Sequence, residues 1–199
     1  MLFNKDKQIA FVLPTRCGST STKHFLESVG FSQVKHPSLP DHQHVKYSDA
    51  VQCFPNLAKY KKYGIFRNPL ERFISTVNYL LTGKPFVSPE EFVDCFDKNP
   101  NHPLGIFKQP QVEWLDHKDI EVIKFENLAK EVLSVVRGFC EGKNFPHLNS
   151  SSSAKNFSDC YYKIMNIDQG KFSKQIEEFV RDYYAADYQF ARDVLGKEY

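Results

Sequence analysis

An arginine and a serine eight positions apart carry the most specific chemical signal of the sequence. They lie in residues 66–75, Phe-Arg-Asn-Pro-Leu-Glu-Arg-Phe-Ile-Ser, directly after Gly64-Ile65. Arg67 is predicted to end a strand, and Ser75 to lie two turns into a helix that begins at Pro69, on the face that looks back at the strand end. A guanidinium and a hydroxyl that meet at one point are suited to binding a phosphate. Taken alone, the segment is better explained as an ordinary strand-to-helix connection with a solvated arginine.

A second anion-binding signal lies upstream in residues 14–21, Pro-Thr-Arg-Cys-Gly-Ser-Thr-Ser. This 14–21 segment joins the first predicted strand to the first predicted helix, where ligands of parallel sheets bind and helix N–H groups are free. Glycine allows close backbone approach, the hydroxyls donate hydrogen bonds, and arginine adds a fixed charge. We therefore predict a phosphate-binding loop formed by Arg16, Cys17, Gly18, Ser19, Thr20 and Ser21. A capped helix with a surface arginine is the alternative interpretation.

The 14–21 segment departs from the Walker pattern of P-loop enzymes, which ends in Gly-Lys followed by Ser or Thr. It has one glycine, and no lysine stands before its hydroxyl residues. This departure weighs against an ATPase or a nucleotide kinase, although a kinase-like P-loop enzyme stays open as an alternative.

Strands that alternate with helices position both segments. The predicted strands are residues 9–13, 64–66 and 120–125, which are short apolar runs. The predicted helices are residues 22–29, 69–81, 111–115, 127–139, 172–184 and 185–194, and a further helix begins at Ser88. The strand at 9–13 is expected to be the first element. The alternation predicts an α/β, three-layer, P-loop-like fold with a central, mainly parallel sheet, in a single domain over residues 1–199.

Composition excludes several function classes. Charged residues make up 25% and hydrophobic residues 41% of the 199 residues, which is typical of a globular protein. The formal net charge of +2 provides no global basic field, so nucleic acid is not expected as a partner. The five cysteines form no Cys-x-x-Cys pair, which argues against a disulfide framework or a zinc site and favours a reducing compartment.

Targeting and membrane signals are absent from the sequence. No apolar run approaches the roughly 18 residues of a membrane span. Residues 1–8 are too polar and too short for a signal peptide. We therefore expect a soluble, cytoplasmic domain, and the oligomeric state stays open.

Together the two anion-binding segments resemble the two cofactor signatures of the sulfotransferases that use 3′-phosphoadenosine 5′-phosphosulfate (PAPS). The 14–21 segment resembles the loop that holds the 5′-phosphosulfate, with Arg16 where the family usually has lysine. Residues 67–75 match the 3′-phosphate signature, Arg-(Asp/Asn)-Pro-x-Glu-Arg-x-x-Ser, at every constrained position. The resemblance implies that Arg67 and Ser75 hold the 3′-phosphate. It also implies PAPS as cofactor, adenosine 3′,5′-bisphosphate (PAP) as its product, and no metal.

Weaker similarities extend over most of the chain and point to carbohydrate-acting members of that family. Residues 42–49 resemble the His-x-His-Val segment of the heparan and dermatan 2-O-sulfotransferases, in which the second histidine is the base. Residues 146–149 resemble a Pro-His-x-Asn loop near the cofactor of glycan sulfotransferases, which implies cofactor contacts for His147 and Asn149. Residues 124–128 and 183–190 resemble two further family elements.

The implied reaction is in-line transfer of a sulfuryl group from PAPS to a hydroxyl, expected to belong to a carbohydrate or a small molecule. An imidazole that is neutral near pH 7 can take the proton of that hydroxyl. His44 is the first candidate for the base, His42 the second and His36 the third. A metal site at His42 and His44 lacks a third ligand at recognisable spacing.

Arg16 can stabilise charge on the leaving phosphate, but as a permanently protonated group it cannot donate a proton. Phosphate binding alone is the alternative role for Arg16. Glu71 and Arg72 are expected to form ordinary ion pairs at or near the helix surface. A non-catalytic nucleotide- or glycan-binding module of the same fold is the remaining alternative to an enzyme.

Overall fold

The computed structural model describes residues 1–39, 43–80, 105–115, 118–146 and 171–199. The chain divides into two compact units. The first comprises Met1–Arg67 and Gln111–Leu148, and the second comprises Asn68–Pro110 and Asn149–Tyr199. The single domain over residues 1–199 stays a prediction, and the helix predicted from Ser88 lies outside the described residues.

The three predicted strands and most of the predicted helices lie close to their predicted positions within the described residues, and further short elements accompany them. The strands are β1 (Leu2–Asn4), β2 (Ile9–Val12), β3 (Ser32–Gln33), β4 (Lys61–Phe66) and β5 (Ile120–Lys124). The α-helices are α1 (Ser19–Ser28), α2 (Tyr47–Cys53), α3 (Pro69–Leu80), α4 (Gly105–Lys108), α5 (Leu128–Val136), α6 (Lys171–Tyr183) and α7 (Ala185–Leu195). Short 3-10 segments cover Pro55–Lys59, Gln111–Glu113, Phe125–Asn127 and Arg137–Phe139. Among these helices, none is both long enough and apolar enough to cross a bilayer.

The described strands form one mixed sheet in the order β3-β1-β2-β4-β5. β2, β4 and β5 are parallel, and these are the three strands that the sequence predicts. β1 is antiparallel to both β2 and β3. The α/β class is therefore confirmed, whereas the sheet is mixed because the two short strands add an antiparallel edge.

β1 precedes the strand at residue 9, so the prediction that this strand is the first element is wrong. Leu2 pairs with Phe11, and Asn4 pairs with Ile9. Asn4 Oδ1 accepts a hydrogen bond from Lys7 N at 2.9 Å and so stabilises the turn between the two strands. A strand of three residues is too short to show an alternating pattern, which is why the sequence does not reveal it.

The core of the first unit lies between the sheet and helices α1 and α5. Alternate residues of the parallel strands point to this face, and the stacked rings of Phe11 and Tyr63 lie 5.3 Å apart there. α1 contributes Phe25 and Leu26 to the same core. The residues that α5 contributes are Leu128, Val132 and Val136.

Different elements contact the opposite face of the sheet. Lys62 Nζ lies 5.6 Å from the ring centre of Tyr47, the first residue of α2. At Gly64 there is no space for a side chain, since a Cβ would lie 2.2 Å from Leu115 Cδ2. The glycine in β4 therefore allows the segment after the Gln111–Glu113 turn to approach the sheet closely.

The second unit has its own aromatic core. Its buried members are Phe73, Ile176, Val180, Tyr184 and Tyr188. Arg72, which the sequence assigns to ion pairing at or near the helix surface, is only 1% exposed, and its Cζ lies 5.7 Å from the ring centre of Tyr184. Burial raises the pKa of Tyr184, so its phenol stays protonated far into the alkaline range.

α3 begins where the sequence predicts because Asn68 caps it. Asn68 Oδ1 accepts hydrogen bonds from Leu70 N at 2.9 Å and from Glu71 N at 3.2 Å. These bonds satisfy amides of the first turn that have no acceptor within the helix.

Candidate functional site

The three parallel strands of the first unit end at the same edge of the sheet, and the candidate site lies beyond that edge. β2 leads into the 14–21 segment, β4 into Arg67 and β5 into Phe125. The register pairs Val12 with Gly64 and Phe66 with Lys124, so neighbouring strands leave the sheet side by side. This is the edge at which α/β sheets bind their ligands.

The helix after β2 begins three residues earlier than predicted. Gly18 is the residue before the helix, and its φ of 71° lies in the left-handed region that favours glycine. The first helical hydrogen bond runs from Thr22 N to Gly18 O at 3.0 Å. The backbone N–H groups ahead of it have no acceptor within the helix. The residues of this first turn are Ser19, Thr20 and Ser21, and such a turn favours a bound anion.

Gly18 packs against the residues that follow β5. A Cβ at this position would lie 2.5 Å from Leu128 Cδ2 and 3.1 Å from Phe125 Cε2. Space and backbone conformation therefore both require glycine.

Arg16 also has a left-handed backbone, with φ of 60°. For a residue with a side chain this conformation costs about 1–2 kcal/mol. Its carbonyl oxygen accepts a hydrogen bond from Arg67 Nη1 at 3.1 Å. The structure thus brings together two arginines that are 51 positions apart and that the sequence placed in separate anion-binding segments.

The guanidinium of Arg67 is held on a second side by an aromatic ring. Arg67 Cζ lies 4.3 Å from the ring centre of Phe125, which is within the range of a cation–π contact. Phe125 thus contacts Arg67 and stands next to Gly18. In the sequence Phe125 is only part of a family-like segment, and no role was expected for it.

Gln111 is a site residue that sequence reasoning missed. Its side chain is fully buried, and its Oε1 accepts hydrogen bonds from Arg67 N at 2.9 Å and from Cys17 Sγ at 3.1 Å. Its Nε2 donates to Arg67 O at 2.8 Å. Gln111 and Arg67 are 44 positions apart, so no local pattern indicates their contact.

His44 is oriented by two hydrogen bonds within the first unit. Its Nδ1 lies 2.9 Å from the carbonyl oxygen of Leu13, the residue after β2. Trp114 Nε1 donates to the carbonyl oxygen of His44 at 3.0 Å. Because a carbonyl only accepts, Nδ1 carries the proton, and in the neutral ring the lone pair lies on Nε2. That tautomer can accept a proton at Nε2.

Of the remaining predicted site residues, Ser75 and His36 belong to the described part of the chain. His42, His147 and Asn149 lie outside the described residues. Ser75 is half-buried on α3 in the second unit, and its pairing with Arg67 stays a prediction. His36 Nδ1 accepts a hydrogen bond from Ser38 N at 3.2 Å, which puts the ring proton on Nε2 and makes that atom a poor base.

Neither a cluster of potential metal ligands nor a disulfide is found in the part of the chain that the structure describes. No three His, Cys, Asp or Glu side chains come together there as a metal site would require. Cys17, Cys53 and Cys140 form no disulfide.

Comparison of the chain with protein-family models, with curated proteins and with solved structures gives no match.

Proposed function

We propose that this protein transfers a sulfuryl group from PAPS to a hydroxyl group of a carbohydrate acceptor. The observation that carries the proposal is the hydrogen bond from Arg67 Nη1 to the carbonyl of Arg16, at 3.1 Å. It joins the two segments that resemble the PAPS signatures. PAPS differs from ATP in its 3′-phosphate, and Arg67 is the residue that we assign to that phosphate.

A three-layer, P-loop-like fold is part of the proposal. Helices α1 and α5 pack on one face of the sheet, while Tyr47 and Leu115 contact the other face. The adjacent parallel strands β2, β4 and β5 and the helix that begins directly after the loop support the same fold.

The residues at the sheet edge fit PAPS. The first turn of α1 offers N–H groups and the positive end of a helix dipole to the 5′-phosphosulfate. Arg67 offers a guanidinium that is held in place by Phe125 and by the carbonyl of Arg16. When bound, PAPS supplies the sulfuryl group and a phosphate leaving group.

Two residues of the chain then have separate roles, one in stabilising negative charge and the other in accepting a proton. Arg16 is permanently protonated, so it stabilises negative charge beside the loop and transfers no proton. His44 takes the proton of the acceptor hydroxyl at Nε2, because the bond to the carbonyl of Leu13 holds the proton on Nδ1. The carbohydrate nature of the acceptor and a cytoplasmic location stay predictions.

Thermal shift with PAP, AMP and ATP tests the cofactor assignment. Ligands that bind only the folded state raise its melting temperature, and PAP is expected to raise it most. Arg67→Ala should remove the preference for PAP over AMP. Arg137→Ala, at an exposed arginine in the turn after α5, should keep it. Equal shifts with PAP and AMP, or a preference that survives Arg67→Ala, would contradict the proposal, and a larger shift with ATP would favour a kinase-like enzyme.

Transfer of labelled sulfate from PAPS to carbohydrate acceptors tests the base. His44→Ala should abolish turnover and leave the affinity for PAP unchanged, whereas His24→Ala, on the exposed side of α1, should change neither. Turnover retained in His44→Ala would assign the base to another residue. PAP binding without turnover on any carbohydrate tested would instead indicate a binding module.

A further inference from the structure

A single buried amide in the first unit contacts both Arg67 and the 14–21 segment. Gln111 is 0% exposed and bonds to the main chain of Arg67 with both ends of its side chain, at 2.9 and 2.8 Å. The same Oε1 accepts the hydrogen bond of the Cys17 thiol at 3.1 Å. Gln111 itself stands on a different element, the 3-10 turn Gln111–Glu113.

The partners of Gln111 determine which way its amide points. Arg67 N–H can only donate, so it must face Oε1, and Arg67 C=O can only accept, so it must face Nε2. A carboxylate lacks the donor and an apolar side chain lacks both groups. Among side chains of this length, only glutamine can bond both the N–H and the C=O of Arg67.

Gln111 replaces a neighbouring strand at the point where the sheet ends. The parallel ladder between β4 and β5 stops at the pair Phe66–Lys124, and Arg67 is the next residue. The two bonds from Gln111 provide Arg67 with the main-chain partners that a continuing strand would provide. Gln111 therefore fixes the backbone of Arg67, from which the guanidinium extends. Its bond to Cys17 fixes this backbone relative to the 14–21 segment.

We propose that Gln111 is the positioning residue that makes the site selective for a nucleotide with a 3′-phosphate. It holds Arg67 at a constant distance from the 14–21 segment, and this distance must match the separation of the two phosphate groups of the ligand. The inference rests on the proposed PAPS function. Gln111 touches no reacting atom, so it acts through Arg67.

Isothermal titration calorimetry with PAP and AMP tests the role. The wild-type ratio of the AMP Kd to the PAP Kd measures the contribution of the 3′-phosphate. Gln111→Met removes both hydrogen-bonding groups at similar volume and is expected to lower this ratio about tenfold. Because Gln111 acts through Arg67, the double variant Arg67→Ala/Gln111→Met should have the same ratio as Arg67→Ala.

Val136→Ala is the matched control for a purely structural effect. Val136 is fully buried at the end of α5, so its truncation lowers the melting temperature and should leave the ratio at the wild-type value. A Gln111→Met protein that melts lower but keeps the wild-type ratio overturns the inference and leaves the PAPS function standing. A wild-type protein without preference for PAP overturns both. If Gln111→Met does not fold, Gln111→Asn replaces it, because the asparagine amide is one methylene too short to reach the main chain of Arg67. The ratio of the AMP Kd to the PAP Kd is then expected to fall. An unchanged ratio overturns the inference.

Discussion

Gly18→Ala is expected to destabilise the first unit by about 2–5 kcal/mol, the sum of a backbone term and a packing term. The backbone term arises because φ at Gly18 is 71°, where a residue with a Cβ costs about 1–2 kcal/mol. The packing term arises because the new Cβ would lie 2.5 Å from Leu128 Cδ2. Overpacking of this kind costs about 1–3 kcal/mol.

Two other glycines of the same unit separate the terms. Gly142 has the same φ of 71°, but a Cβ there would have no neighbour within 4 Å, so Gly142→Ala should show the backbone term alone. Gly138 has neither a left-handed backbone nor a neighbour within 4 Å. Gly138→Ala should therefore be neutral or stabilising by about 0.4–1 kcal/mol, because alanine restricts the unfolded chain.

Urea unfolding of the three variants and the wild type provides the free energies. The predicted order of stability is Gly138→Ala, then Gly142→Ala, then Gly18→Ala. The double variant Gly18→Ala/Leu128→Ala should lose less unfolding free energy than the sum of the losses of the two single variants. The reason is that the truncated leucine makes room for the new methyl group. Equal losses in Gly18→Ala and Gly142→Ala would refute the close packing of the 14–21 segment against α5.

The buried phenol of Tyr184, the hydrogen bond of Trp114 and the ring of Phe125 each have a measurable consequence. As pH rises above 10, the unfolded chain loses the phenol proton of Tyr184 while the folded chain, with its raised pKa, keeps it; the free energy of unfolding then falls by about 1 kcal/mol by pH 11. Tyr184→Phe should remove this part of the pH dependence. If urea unfolding at about pH 9 and 11 shows the same fall in the free energy of unfolding for both proteins, the prediction is wrong. Trp114→Phe loses the hydrogen bond to the carbonyl of His44, so the free energy of unfolding should fall by about 1–3 kcal/mol. Turnover should also fall, while PAP affinity measured by calorimetry stays unchanged. Unchanged turnover would show that Trp114 does not position the base. Phe125→Leu removes the cation–π contact with Arg67, worth about 0.5–2 kcal/mol, and should weaken PAP binding severalfold more than AMP binding; an equal loss for both ligands would contradict the contact.

Local signals in the sequence were sufficient for most elements of the fold. Asn68-Pro69 predicts the start of α3 because the capping side chain and the helix lie within a few residues of each other. The buried strands β2, β4 and β5 are visible as apolar runs. β1 and β3 are not, because strands of three and two residues contain no measurable period.

The start of α1 shows where local signals stop being sufficient. Hydroxyl residues 19–21 are predicted as a turn from the sequence, but they form the first turn of the helix. Their conformation depends on the left-handed backbone of Gly18, and Gly18 is pressed against Leu128 and Phe125, which come from a distant part of the chain.

The sequence by itself determined the chemical types at the site: the arginines, hydroxyls and histidine that could bind an anion and move a proton. These are properties of single residues, and they do not depend on where the chain goes. Only the tertiary structure decided which of them meet: Arg67 with the carbonyl of Arg16, His44 with Leu13, and Gln111 with Arg67. The physical reason is that each of these hydrogen bonds joins residues 31 to 51 positions apart, so its geometry exists only once the parallel strands have aligned their ends at one edge of the sheet.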